Sequence, residues 1–250
     1  MNQASSAKSK IELLIASIAR SLEGCRHVAV GASSPIPGAG ALLAKHLSKN
    51  TMRVSILGSE RHNFFTDGGV ELFDLAAQGR IDAFFLGGGQ IDGDGNINLV
   101  GAGDTYPQHT VRWPGSFGSA YMYYLVPKVI LFREEHSRRV FVPKVDFISS
   151  PGSSSNNIYR RGGPMSLLTN LCKFSFNKNE NEFRLESLHP GVTLEEVLNN
   201  TGFSFTHPKK IPVTELPSYE MMNTIQSLIQ DQLSEIYPIF AKRMAAFQKG

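Results

Sequence analysis

Residues 27–57 read HVAVGASSPIPGAGALLAKHLSKNTMRVSIL. A short apolar run, His27-Val-Ala-Val, stops at Gly31. A turn-rich segment, Ala32 to Gly40 with Pro35 and Pro37, leads into a helix over roughly Ala39 to Leu47, and a second apolar run follows at Arg53 to Leu57. Strands that are continuously apolar rather than alternating belong to sheets with helices on both faces. Upstream, Ile11, Leu14, Ile15, Ile18 and Leu22 follow helical spacing, Ser9 and Glu12 stand at capping-box spacing, and Gly24 marks a stop. Downstream, Gly69 to Gln78 reads as a helix and Ile81 to Leu86 as a third strand. The rhythm predicts an α/β fold with a largely parallel central sheet flanked by helices.

The remainder alternates less regularly. Lys128 to Phe132, Val140 to Pro143 and Val145 to Ser149 are expected strands. Leu167 to Phe176 and Phe183 to Leu188 form an expected strand pair around the turn Asn177 to Asn181. Thr193 and Glu196 repeat the capping-box spacing before a short helix that ends near Gly202, and Met221 to Phe247 reads as amphipathic helix. Residues 1–8 read as a flexible polar tail, and residues 9–250 as a single domain, since no linker divides them.

Composition removes several classes of function. Of 250 residues, 41% are apolar and 19% charged, and 25 Lys+Arg against 22 Asp+Glu leave a net charge of +3. That balance, with no basic stripe, argues against a nucleic-acid-binding protein. No apolar run approaches the length a membrane helix needs. The two cysteines, Cys25 and Cys172, make no disulfide framework, Cys172 reading as a core thiol, and MNQASSAKSK lacks an apolar signal core. The expected compartment is the cytoplasm. The seven histidines show no metal-ligand spacing, so no metal is expected.

Ligands collect at the carboxyl ends of strands in such sheets. There, Leu86-Gly-Gly-Gly-Gln-Ile-Asp-Gly-Asp-Gly-Asn-Ile-Asn98 runs an apolar strand into three glycines and then a hairpin turning at Gly93 to Gly95. Bare backbone at that place offers N–H groups to an oxyanion or a thioester carbonyl; the same pattern also suits a plain hairpin. The spacing is neither that of a dinucleotide fold nor of a P-loop, and the Asp/Asn series lacks the glycine and glutamate of a calcium loop. A second candidate is Ile56-Leu-Gly-Ser-Glu-Arg-His62, where Glu60 reads as nucleophile or base with Ser59 or His62 beside it, or as a solvated carboxylate paired with Arg61.

Several segments, taken in order from about residue 10 to 205, resemble the B subunit of the glutaconate-type class I CoA-transferases. They are Leu86 to Asn98, the sequence around Gly103-Asp104, Val111-Arg-Trp-Pro-Gly-Ser-Phe-Gly118, Phe141 to Gly152, Leu188 to Thr193, and Asn200 to Phe203. The resemblance implies a class I CoA-transferase-like fold, a separate A subunit in a hetero-oligomer, and an acyl-CoA thioester as substrate with no tightly bound cofactor. It implies that Gly87, Gly88 and Gly89 lie beside the reacting carbonyl. Gln90, Asp92, Asn96 and Asn98 would shape that loop, and Gly115 would join it from the next one. In the transferases a glutamate after a B-subunit strand attacks the thioester and passes through an anhydride to an enzyme–CoA thioester. Here Gly58 occupies that position and Glu60 comes two residues later. The chain shares this departure with the B subunits of ring-opening CoA hydrolases, whose essential acid comes from the A subunit. Transfer of CoA between carboxylic acids, hydrolytic C–C cleavage of a cyclic thioester, and non-catalytic binding therefore all stand as expectations.

Overall fold

The computed structural model describes residues 3–103 and 106–247, and its contacts group into two compact units. The first comprises residues 1–72, 81–83 and 215–250; the second comprises 73–80 and 84–214.

In the first unit, helix α1 (Gln3–Ser21) buries Ile11, Leu14, Ile15 and Ile18, with Leu22 buried just past its end, and packs against α2 (Pro35–Leu47), whose Leu42 and Leu43 are buried as well. Strands β1 (His27–Val30) and β2 (Arg53–Ile56) are parallel, in register from His27↔Arg53 to Val30↔Ile56. The start of β3 (Ala83–Leu86) joins β1 in parallel at Val28↔Ala83. Helix α3 (Gly68–Ala77) follows β2. The carboxyl end of the chain returns to this unit as α6 (Tyr219–Leu228), a π-helical turn (Ile229–Leu233) and α7 (Pro238–Ala246).

Three expectations give way in this unit. Helix α1 starts at Gln3, so residues 3–8, expected as tail, are its opening turns; Ser9 and Glu12 lie inside it, and Glu12 pairs with Lys8 at 3.5 Å. Helix α2 starts at Pro35, four residues earlier than expected, because proline lacks only an N–H that a first turn leaves unpaired and its fixed φ suits a helix. The expected helix Met221 to Phe247 is divided, with the π-helical turn and Pro238 interrupting its hydrogen-bond ladder.

In the second unit the strand order is β11-β10-β9-β8-β3, with β8 (Lys128–Phe132), β9 (Pro164–Leu168), β10 (Cys172–Asn177) and β11 (Glu182–Leu188). Strands β8 and β9 are parallel; β9, β10 and β11 are antiparallel. The stretch expected as one strand, Leu167 to Phe176, is two, folded back at 169–171, where Thr169 Oγ1 accepts from the N–H groups of Leu171 and Cys172. Val140 to Pro143 and Val145 to Ser149 are not strands. They run as irregular chain touching the hairpin through single bridges at Ile91↔Phe141 and Ile97↔Ser150, since Pro143 cannot donate to a ladder.

The core of this unit is aromatic. Phe183 stacks on Phe203 at 5.5 Å and meets Phe174 edge-on at 6.0 Å. Helix α4 (Ser119–Leu125) buries Tyr123, and α5 (Leu194–Asn200) is capped as expected, Thr193 Oγ1 accepting from the N–H of Glu196 at 3.1 Å. Cys172 is fully buried and its thiol is pushed up to about 12 by that burial, so it is an inert core group.

Candidate active site

The two groups of candidate residues fall in different units and each stands on its own. In the second unit, β3 delivers the chain into Gly87, Gly88 and Gly89, and the hairpin follows as β4 (Gln90–Ile91) and β5 (Ile97–Asn98), antiparallel with Gln90 opposite Asn98. The turn closes where Gly95 N–H reaches Asp92 O at 3.1 Å, and a second short antiparallel pair, β6 (Gly101–Ala102) and β7 (Val111–Arg112), follows the hairpin.

The polar side chains expected at this site are spent on building it. Gln90 Nε2 donates to Asp146 Oδ2 at 2.8 Å, and Gln90 Oε1 accepts from Asn98 Nδ2 at 2.8 Å and from the N–H of Asp146 at 3.0 Å. Asn98, fully buried, also ties down Val100 and Gly101. Asn96 Nδ2 donates to Asp92 Oδ2 at 3.1 Å, and Asn96 Oδ1 accepts from the N–H of Gly152 at 3.0 Å. Buried polar groups are kept only when paired in this way. Asp146 was not expected as a site residue. It holds Gln90 and the N–H of Gly103 together, and the aspartate of the Lys144-Val-Asp146 run was its signal.

The glycines answer in part to packing. The N–H of Gly89 donates to Asn98 O at 2.9 Å, which removes it from the donors a ligand could use. A Cβ built on Gly89 would overlap the six-membered ring of Trp113, and one on Gly88 would stand 2.6 Å from Gln90 O. Gly89→Ala is expected to cost about 1–3 kcal/mol by overpacking. Adding Trp113→Ala should recover most of it, a coupling read from urea denaturation of the two single variants and the double. A fully stable Gly89→Ala chain would show that the indole moves aside freely. Gly115 (φ +109) donates its N–H to Leu99 O at 3.2 Å, and Asp104 lies outside the described residues.

In the first unit, β2 ends at Ile56 and the chain turns at Gly58 (φ +85), with Ser59 N–H on Ile56 O at 3.1 Å. The N–H of Ile56 meets His62 O at 2.8 Å, which closes the loop onto the strand. Ser59 is buried; its Oγ accepts from His62 N–H at 2.9 Å and donates to Glu235 Oε1. The N–H of Glu60 donates to the other oxygen, Glu235 Oε2, at 3.4 Å. Arg61 reaches Asp231 O rather than Glu60. His62 is held below its ordinary range, chiefly by burial and then by the Lys45 charge, and its Nε2 is buried without a hydrogen-bond partner among the described residues. Glu235 was not legible as a site residue, for nothing local in a helical stretch marks it.

No group of three or more His, Cys, Asp or Glu among the described residues could hold a metal, and no described helix is long and apolar enough to cross a membrane.

In each unit the candidate loop follows the carboxyl end of a parallel strand, the place where α/β sheets bind ligands. The chain belongs to the coenzyme A transferase family, whose profile matches residues 10–200. It is similar to the B subunit of 3-oxoadipate CoA-transferase from Pseudomonas knackmussii, 35% identical over 165 residues that take in 63% of each chain. It is also similar to the cholesterol ring-cleaving hydrolase IpdB subunit of Rhodococcus jostii, 33% identical over 175 residues, 64% of this chain and 63% of that one. The crystal structure of Rhodococcus jostii IpdAB superimposes with a TM-score of 0.75 at 26% identity, covering 89% of this chain and 93% of that one. The chain spans less than two thirds of the length of the curated relatives it matches.

Proposed function

We propose that this chain is the B-type subunit of a two-subunit enzyme that binds an acyl-CoA thioester and transfers CoA between carboxylic acids. The observation that carries the proposal is the family match over residues 10–200, with the glycine run 87–89 at the end of a buried strand. Gly87, Gly88 and Gly89 face the thioester; Gln90, Asp92, Asn96 and Asn98 hold that backbone in place, and Gly115 shapes the adjoining turn. Ser59 and Glu60 belong to the acid–base loop. CoA enters as substrate, with no tightly bound cofactor. The partner is an A-type subunit of the same family. Side chains such as Phe117, 85% exposed, and Tyr159, 84% exposed, supply apolar surface of the kind a partner covers. The reducing cytoplasm suits Cys25 and Cys172, both free thiols.

One observation favours a second reading. Gly58 carries no side chain where the transferase glutamate stands, and a relative of this chain is a ring-cleaving hydrolase subunit. In that case the enzyme opens a ring by hydrolytic C–C cleavage, with the acid supplied by the A subunit. The same glycine also fits a non-catalytic binding subunit.

The test is to pair the purified chain with an A-type subunit and supply an acyl-CoA and an acceptor carboxylate, following products by mass spectrometry. Transfer yields the acceptor's CoA ester with total CoA ester conserved. A ring-opened product that retains CoA, formed without acceptor, would replace transfer by hydrolysis. Binding with no turnover would leave the non-catalytic reading.

A further inference from the structure

The loop after β2 has no side chain at position 58, yet it holds a carboxylate from a distant part of the same chain. Both oxygens of Glu235 lie on it, Oε1 receiving the hydroxyl of Ser59 and Oε2 the N–H of Glu60. Glu235 comes from the segment between the π-helical turn and α7, and its neighbours fasten that segment at the same place. Tyr237 is buried and its hydroxyl reaches Gly31 O, in the loop after β1, at 3.3 Å. The Cδ1 of Ile236 stands 3.6 Å from where a Cβ of Gly58 would be. Glu235 is nonetheless exposed at its surface, so a substrate can reach it. Glu60 is exposed too, but only its backbone N–H is tied down; among the described residues no hydrogen bond or ion pair orients its carboxylate.

We propose that Glu235 is the reacting carboxylate of this chain, in place of both the absent side chain at 58 and the sequence-proximal Glu60. The assignment rests on the transferase reading above. A Glu235 oxygen attacks the thioester carbonyl carbon; the new C–O bond forms as the C–S bond breaks, and CoA leaves as thiolate. The thiolate then attacks the Glu235 carbonyl carbon, the C–O bond to the acyl group breaks, and the acyl group departs as a carboxylate. Glu235 is left as a CoA thioester, which an acceptor carboxylate resolves by the reverse sequence. Ser59 is the positioning residue, its hydroxyl fixing one oxygen so that the carboxylate is already aimed. Residue 235 lies outside the span that matches the family, 10–200, so the assignment concerns a feature of this chain.

The experiment uses the complex with an A-type subunit. It is incubated with an acyl-CoA, reduced with borohydride and digested, and the modified peptide is located by mass spectrometry. The expected result is reduction of a glutamyl thioester at residue 235, with Glu235→Gln lowering transfer by about 1,000-fold or more. Glu235→Asp keeps the carboxylate and should recover part of the rate. Mapping is done on the unaltered chain, so an unstable variant does not decide the matter. Label at Glu60, or full transfer by Glu235→Gln, overturns the assignment while transfer itself stands. A complex that binds acyl-CoA but neither transfers nor labels overturns the transferase reading and this assignment with it.

Discussion

Asp92→Ala lowers the unfolding free energy by roughly 3–5 kcal/mol, and the midpoint by roughly 10 °C. The carboxylate is 2% exposed and accepts four hydrogen bonds from its own chain. Oδ1 takes the N–H groups of Asp94 at 3.2 Å and Asn96 at 3.0 Å, which bends the hairpin. Oδ2 takes Asn96 Nδ2 at 3.1 Å and the N–H of Val145 at 3.3 Å, which ties the hairpin to the neighbouring chain. Alanine leaves buried donors unanswered, and each such donor costs more than a hydrogen bond contributes when made. Asparagine keeps the shape but sets an NH₂ group against other donors, so Asp92→Asn should lose about half as much. Chemical denaturation of the three chains checks the order; an alanine variant within about 1 kcal/mol of the parent would show that water takes over the donors.

Acid weakens the fold before carboxylates begin to titrate. His136 is buried and held down to about 4, first by burial and then by the His189 charge. Its hydrogen bonds explain why no protonated form fits. Thr201 Oγ1 donates its proton to Val197 O at 2.7 Å, so it can only accept from His136 Nε2, 2.9 Å away. This assigns the proton to Nε2 and leaves Nδ1 to accept from Thr169 Oγ1 at 2.8 Å. A second ring proton would face that hydroxyl, whose oxygen already accepts from the N–H groups of Leu171 and Cys172. Because the folded pKa lies below the unfolded one, the unfolded chain binds more protons between about 6.5 and about 4. Stability is therefore full above that window and falls as pH drops through it, by on the order of 3 kcal/mol. His62, lowered mainly by its own burial, adds to the same limb. Two carboxylates act further down. Burial of Asp82 is outweighed by hydrogen bonds from the N–H groups of His27 and Arg26, and Glu135 is held low chiefly by the Ser137 hydroxyl. Denaturation curves across a pH range of about 4 to 7 should show the slope, and His136→Gln should flatten most of it. An unchanged slope in that variant would mean the ring already titrates freely.

How much of this could be read beforehand follows from where each signal lies. Strands β1 to β3 were legible because their apolar runs are short, uninterrupted and bounded by glycine, and helices of ordinary spacing lie between them. The start of α2 was not, because Pro35 and Pro37 suit a loop and a first helical turn equally well, and packing against α1 decides between them. Phe141 and Val145 sit in apolar segments that read as strands, but the chain there is needed to pair with the hairpin at isolated points. The glycine run and its polar followers were legible as a motif; that the side chains bond to one another, and so serve as scaffold, was not. Glu235 is the extreme case. It meets Ser59 across 176 positions of sequence, and no local pattern reports a contact of that range.

The left-handed turn at Gly58 has an evolutionary consequence. Were a glycine codon there to mutate to glutamate, the new side chain would arrive on backbone that costs an L-residue about 1–2 kcal/mol, before any gain in chemistry. A carboxylate is therefore reached at this position without strain only if the turn changes along with the residue, so a single substitution does not suffice.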